Sequence, residues 1–129
     1  MADEILNLYY RGVVPTIGTD LYLRLLVAPS TRAGGGTETT YGGYARLALP
    51  RGTSIFSNSP ANGRLVNAVV LTFGQATTVG NGDLVAFDTV DTASGAVNKI
   101  YNGGPIVPAK SVVVGKNPTF RISSLEITF

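Results

Sequence analysis

A chain of 129 residues is the size of one domain and removes roughly two thirds of its unfolded surface from water. Apolar residues make up 44% against 14% charged, a globular balance, and a formal net charge of +2 drawn from singly spaced cations gives no run suited to tracking a nucleic-acid backbone. With no cysteine and no histidine, disulfides, thiolate metal sites, the common zinc ligands and the usual activators of a nucleophile are excluded.

The opening stretch MADEILNLYYRG (1–12) holds two acids and lacks the basic start and long apolar run of a secretory signal. No window approaches the ~18 apolar residues of a membrane span, so a soluble chain without an export signal or membrane partner is expected. Asp3 is placed to cap a helix, Glu4 favours its positive end, and Ile5, Leu6, Leu8 and Tyr9 give a short apolar face before Arg11 and Gly12. Residues 1–12 therefore read as a short helical arm. A helix of this length is marginal alone and must pack on the domain body or on a neighbouring subunit.

Everything after Gly12 predicts strands and turns. LYLRLLV (21–27) is rich in strand formers and stops at Ala28-Pro29-Ser30. Residues 30–43 read as a flexible glycine-rich loop, in which Gly42 and Gly43 permit a backbone sign change or a close approach. A strand is predicted over 44–49, with Tyr44, Arg46 and Ala48 on one face and Ala45, Leu47 and Leu49 on the other. LVNAVVLTF (65–73) is the strongest apolar run, and its length and β-branched content predict the buried centre of a sheet.

Further strands are predicted over 83–90, 97–101, 110–114, 118–122 and 125–129. DTASG (91–95) suits a type I turn closing through a left-handed glycine, which makes a hairpin of the strands on either side. NGGP (102–105) and GKNP (115–118) read as similar turns, and Leu125, Ile127 and Phe129 alternate with Glu126 and Thr128, giving the last strand one core face. This density of turn signals predicts an all-β single domain over 1–129, a jelly-roll-like β-sandwich with a short N-terminal helix.

Little catalytic chemistry remains. A glycosidase needs two carboxyls facing each other at about 5 to 10 Å; Asp88 and Asp91 point to opposite sides if the strand runs that far, and Asp91 reads as the start of a turn. DTVDTASG (88–95) lacks the spacing and the closing glutamate of a calcium loop, and Lys99, Lys110 and Lys116 have no S-x-x-K context. GGGTETTYGGYARLALP (34–50) contains no lysine and matches neither the phosphate-loop nor the dinucleotide glycine pattern. Its structural reading is a mobile connector, a two-glycine bend and the start of a core strand, with Arg46 a candidate partner for Glu38 or for a neighbouring chain.

Taken in order, LYLRLLVAP (21–29), GTETTYGGYAR (36–46), VVLTFGQAT (69–77), DLVAFDTVDTASG (83–95), YNGGPI (101–106) and VVVGKNPTFRISSLEITF (112–129) resemble a family of small tailed-bacteriophage virion proteins. TETTYGGYAR is the most specific piece. The family often carries a Trp-Gly pair before the strand that begins here at Asp83, and this chain has no tryptophan. Members are labelled tail-fibre-like proteins, and similar ones serve as capsid decoration, or cement, proteins.

The resemblance implies a structural virion role with no active site and no cofactor, in which a few buried aromatics and arginines dominate an interface. Tyr9, Tyr10, Arg24, Tyr41, Tyr44 and Arg46 are the interface candidates, with Glu38 beside Arg46. The expected function is capsid decoration: a homo-oligomer at the capsid surface that binds the major capsid protein and stabilises the head, with no direct contact to nucleic acid. The alternative is a tail or tail-fibre component contacting host-surface carbohydrate, for which exposed tyrosines beside glycine-rich loops would offer stacking surfaces.

Overall fold

The computed structural model describes residues 6–14, 18–31, 35–52, 55–56, 64–122 and 124–128. A single wide helical turn, Asn7–Arg11, is followed by strands β1 (Asp20–Ala28), β2 (Thr37–Glu38), β3 (Leu47–Pro50), β4 (Arg64–Val66), β5 (Leu71–Thr72), β6 (Leu84–Val90), β7 (Ile100–Lys110), β8 (Thr119–Phe120) and β9 (Glu126–Thr128). Among the described residues the regular structure is all strand apart from that one turn. No helix among the described residues is long and apolar enough to cross a membrane.

The main sheet has five strands in the order β2-β1-β6-β7, with β3 also paired to β1. Its centre is the antiparallel pair of β1 and β6, in which Leu25 stands opposite Phe87 and Arg24 opposite Asp88. Successive residues Leu23, Arg24, Leu25 and Leu26 are all buried, so both faces of β1 are covered, and continuous burial replaces the alternation of a half-wetted strand. On its other edge β1 pairs first with β3 and then with β2. The hairpin expected around DTASG is present: β6 and β7 are antiparallel, Gly95 has φ +75°, and Asp91 Oδ1 accepts the N–H groups of Asn98 and Lys99.

Several readings of the sequence are corrected, among them the strand predicted over 110–114, which does not form because β7 ends at Lys110. LVNAVVLTF is broken into β4 and β5, which pair with β9 and β8 in separate two-stranded sheets, and Val69 and Val70 between them are exposed. The break has a cause in Asn67. Its buried side chain donates to the carbonyls of Val69 (2.8 Å) and Arg121 (2.9 Å) and accepts the Leu125 N–H (2.9 Å), replacing ladder bonds that a continuous strand would have made.

NGGP, expected as a turn, lies inside β7. The glycines serve close approach to β6: a Cβ on Gly103 would stand 2.6 Å from the Phe87 carbonyl oxygen, and one on Gly104 would stand 3.2 Å from the Phe87 ring. Pro105 is tolerated because β7 pairs with β6 alone and forms an edge of the sheet.

The core gathers Leu23 and Leu25 of β1, Leu49 of β3, Leu84 and Phe87 of β6 and Leu71 of β5 with Phe73, Ala76, Val112, Leu125 and Tyr41. Rings connect its parts: Phe87 meets Phe120 edge-on with centroids 5.7 Å apart, Phe120 tilts against Phe73 at 6.4 Å, and Phe73 stacks on Tyr44 at 6.2 Å. Each such pair contributes roughly 0.5–1.5 kcal/mol beyond its burial. The core thus extends from the main sheet, through β8, to the segment that carries most of the candidate residues.

Candidate functional site

The strand predicted over 44–49 begins only at Leu47, and residues 39–46 make a compact bend instead. Gly42 and Gly43 impose the bend. Gly43 has φ +91° and packs directly on the Gln75 carbonyl, while a Cβ on Gly42 would collide with the Thr77 and Thr78 side chains. The bend turns Tyr41 inward to 2% exposure, its hydroxyl donating to the Gly74 carbonyl at 2.9 Å, and sets its ring 5.4 Å from that of Tyr44. Burial pushes the Tyr41 phenol above its usual range.

Tyr44 also points inward, against the expected alternation. Its hydroxyl sits beside β1 between the segments that pair with β3 and β2, accepts the Leu25 N–H at 3.2 Å, and donates to Glu38 Oε2 at 2.6 Å. One side chain thereby satisfies a strand group that neither short partner strand covers. Burial first, then the bond to Glu38, pushes the Tyr44 phenol far above the usual tyrosine range. The tyrosines expected to offer a stacking surface to sugar are instead part of the core and its seal.

Arg46 completes the arrangement. Nε and Nη2 form a fork on the Glu38 carboxylate, both at 2.9 Å. Nη1 donates to Thr92 O (3.0 Å) and Thr92 Oγ1 (2.9 Å), and Nη2 also reaches Gly95 O (2.8 Å), so Arg46 ties the β6–β7 connection to β2. Burial pushes the Glu38 carboxyl up, but the bonds from Arg46 and Tyr44, with the nearby arginine charges, carry it below the ordinary carboxylate range. The expected pairing of Arg46 with Glu38 is present, and both belong to the same motif.

Arg24 and Asp88 occupy the same sheet face as Glu38, since Arg24 lies two residues from Leu26, the cross-strand partner of Glu38. Arg24 is 6% exposed and Asp88 0%; Nε donates to Oδ1 at 2.8 Å and Nη2 to Oδ2 at 2.6 Å. The hydrogen bonding that Arg24 donates to Asp88 outweighs the opposing effect of burial and raises the Arg24 pKa above its usual value. Two acids and two arginines thus balance on one covered face. Asp88, weighed as a catalytic carboxylate, is held in this pair, and Asp91 caps the turn at residues 98–99. Among the described residues no group of three or more His, Cys, Asp or Glu gathers as a metal site.

The interface candidates therefore separate into two sets. Arg24, Glu38, Tyr41, Tyr44 and Arg46 are brought together and engaged within the chain, whereas Tyr9 and Tyr10 are 76% and 83% exposed. Gly12 closes their helical turn in the left-handed conformation (φ +66°), and no residue of the turn is buried. A groove that sequence reasoning missed lies between the end of β7 and residues 111–121, where Ile106, Val107, Val113 and Phe120 meet Lys110, Lys116 and Arg121. Its cations are separated by six and five positions, so no local charge run signals it.

What emerges is an all-β protein whose charged side chains lock its own loops and which exposes Leu6, Leu8, Tyr9, Tyr10, Val13 and Val14 in and around its N-terminal turn. A family model described as podophage GP4 fiber I protein gp80 matches residues 1–128, and the chain belongs to this family. It is a structural protein of the phage virion. No curated protein matches the chain.

Proposed function

We propose that the protein is a fibre-type component of the virion that acts by packing against other protein subunits, without catalysis and without a cofactor. The family description supports a fibre, and the exposed apolar N-terminal turn supports a role in assembly. Such a residue cluster gains stability once it is covered, at roughly 25 cal/mol for each Å² of apolar surface removed from water. We infer a sandwich-type body of one domain, in which β5 and β8 form the layer opposite β6; the ring contacts from Phe87 through Phe120 to Phe73 support that layering.

Capsid decoration is the second reading, with the same arm gripping the major capsid protein at the head surface. The same exposed apolar turn supports it. Immunogold labelling of intact particles with an antibody to this chain separates the two. Gold confined to fibres supports the first reading, and gold spread evenly over the head overturns it in favour of decoration. A particle free of gold, with the protein present in the lysate, overturns both.

A further inference from the structure

Among the described residues the longest open edge of the main sheet is β7. It pairs with β6 on one side, and the opposite border of the sheet is made of β2 and β3, two and four residues long. An open edge of eleven residues is a ready template on which a further strand, above all one from a second copy, can form hydrogen bonds. Whether it can take one depends on which backbone groups it turns outward.

Pro105 stands opposite Ala86 and has no N–H, so the two cannot exchange a pair of hydrogen bonds. Theirs is the non-bonded kind of antiparallel pair, in which the nitrogen of Pro105 faces away from β6. The register runs unbroken from Ala86–Pro105 to Asp88–Gly103, two residues along, so the Gly103 N–H also faces out. It is already taken, because Asn102 Oδ1 accepts it at 2.6 Å. Of the two outward nitrogens in residues 102–105, one has no hydrogen and the other has given its hydrogen to the neighbouring side chain.

Both ends of that run are closed as well. Tyr101 is an extra residue between the Thr89–Asn102 and Val90–Ile100 pairs, and residues 106–109 bulge between the Ala86–Pro105 and Leu84–Lys110 pairs. The second bulge carries Pro108, again without an N–H. A strand laid along β7 would meet the outward carbonyls of Gly103 and Pro105 but no free donor between the bulges. Its own carbonyls would be stripped of water and left unpaired.

We propose that Asn102 and Pro105 shut the β7 edge, so that copies of this chain meet through side-chain surfaces and do not extend the main sheet from one subunit into the next. This rests on the reading of the protein as one that works by subunit packing, and it makes β7 the border that such packing leaves unused.

Asn102→Val/Pro105→Thr frees the Gly103 N–H and supplies a second outward donor while leaving the ladder to β6 intact. The full-length variant is checked for folding by far-UV circular dichroism, then compared with the wild type by sedimentation velocity and by amide exchange over a concentration series. Self-association at concentrations about tenfold or more below those of the wild type is expected, with slowed exchange at residues 101–105 in the associated form. A folded variant that associates no more than the wild type overturns the proposal, because the two residues then block nothing. Association that leaves exchange at 101–105 unchanged overturns it too. So does a wild type whose own exchange at 101–105 slows as concentration rises, since its copies would already pair along β7. If the double variant does not fold, Pro105→Thr alone adds one outward donor and is held to the same outcomes, with a smaller shift expected. These measurements use purified protein, so their outcome is independent of where antibody labels the particle.

Discussion

Glu38 is the residue through which the motif meets the sheet, and its ionisation is the most direct handle on that junction. Its carboxyl titrates below the ordinary value of 4.5 in the folded chain, since the bonds from Arg46 and Tyr44 outweigh the opposing effect of burial. On acidification the unfolded chain takes up this proton first. The stabilisation is therefore fully present above about pH 4.5 and is lost as pH falls through the folded value. The urea midpoint of the wild type is expected to fall more steeply than that of Glu38→Gln between pH 5 and pH 3, with the variant less stable at pH 7. Parallel pH profiles would show that Glu38 is not the group responsible. Arg24 and Asp88 obey a different logic, because both are buried and removing one strands the other. Asp88→Ala is expected to cost about 3–5 kcal/mol by urea denaturation, and Arg24→Met/Asp88→Leu to recover most of that loss, since no uncompensated charge then remains inside.

Among the elements, the break between β4 and β5 depends on one side chain. Asn67→Leu keeps a similar volume but leaves the Val69 and Arg121 carbonyls and the Leu125 N–H without their partner. At roughly 1–3 kcal/mol for each abandoned buried group, a loss of about 3 kcal/mol or more is expected in chemical denaturation, although leucine is the better apolar residue. A loss below 1 kcal/mol would mean that water replaces the amide. The same residue shows where sequence reading stops. β1 and β6 were legible because apolar, branched runs closed by turn residues are local signals. LVNAVVLTF carries the same signal more strongly, yet it does not form one strand, because hydropathy cannot report that an asparagine finds three partners up to 58 positions away. NGGP was misread for a related reason: glycine marks a tight turn and a close strand contact alike, and only the approach of Phe87 distinguishes them. In the candidate site, Glu38 and Arg46 were legible because they sit eight residues apart in one motif, whereas Arg24 and Asp88 are 64 apart and join only through the register of β1 and β6.

At the scale of the whole molecule, the three separate hydrogen-bonded sheets among the described residues could open one at a time or together. Contacts that cross between them favour the second outcome. Leu71 of β5, Leu125 beside β9, and Leu23 and Leu25 of β1 share one core, and the rings from Phe87 to Tyr44 link β6, β8 and the motif without passing through any single sheet. Asn67 binds the backbone beside β4 to the backbone beside β9, and Arg46 binds β2 to the β6–β7 connection. Opening one small sheet would expose part of the common core and leave buried polar groups unpaired, so the intermediate pays both penalties while keeping few of the native gains. Urea unfolding followed by far-UV circular dichroism, which reads the strands, and by near-UV circular dichroism, which reads the packed tyrosines, is accordingly expected to give coincident midpoints. An earlier near-UV transition would mean that the motif and its aromatic ladder detach from the main sheet, and the division of the chain into one cooperative unit would then fail at the Phe120–Phe87 contact.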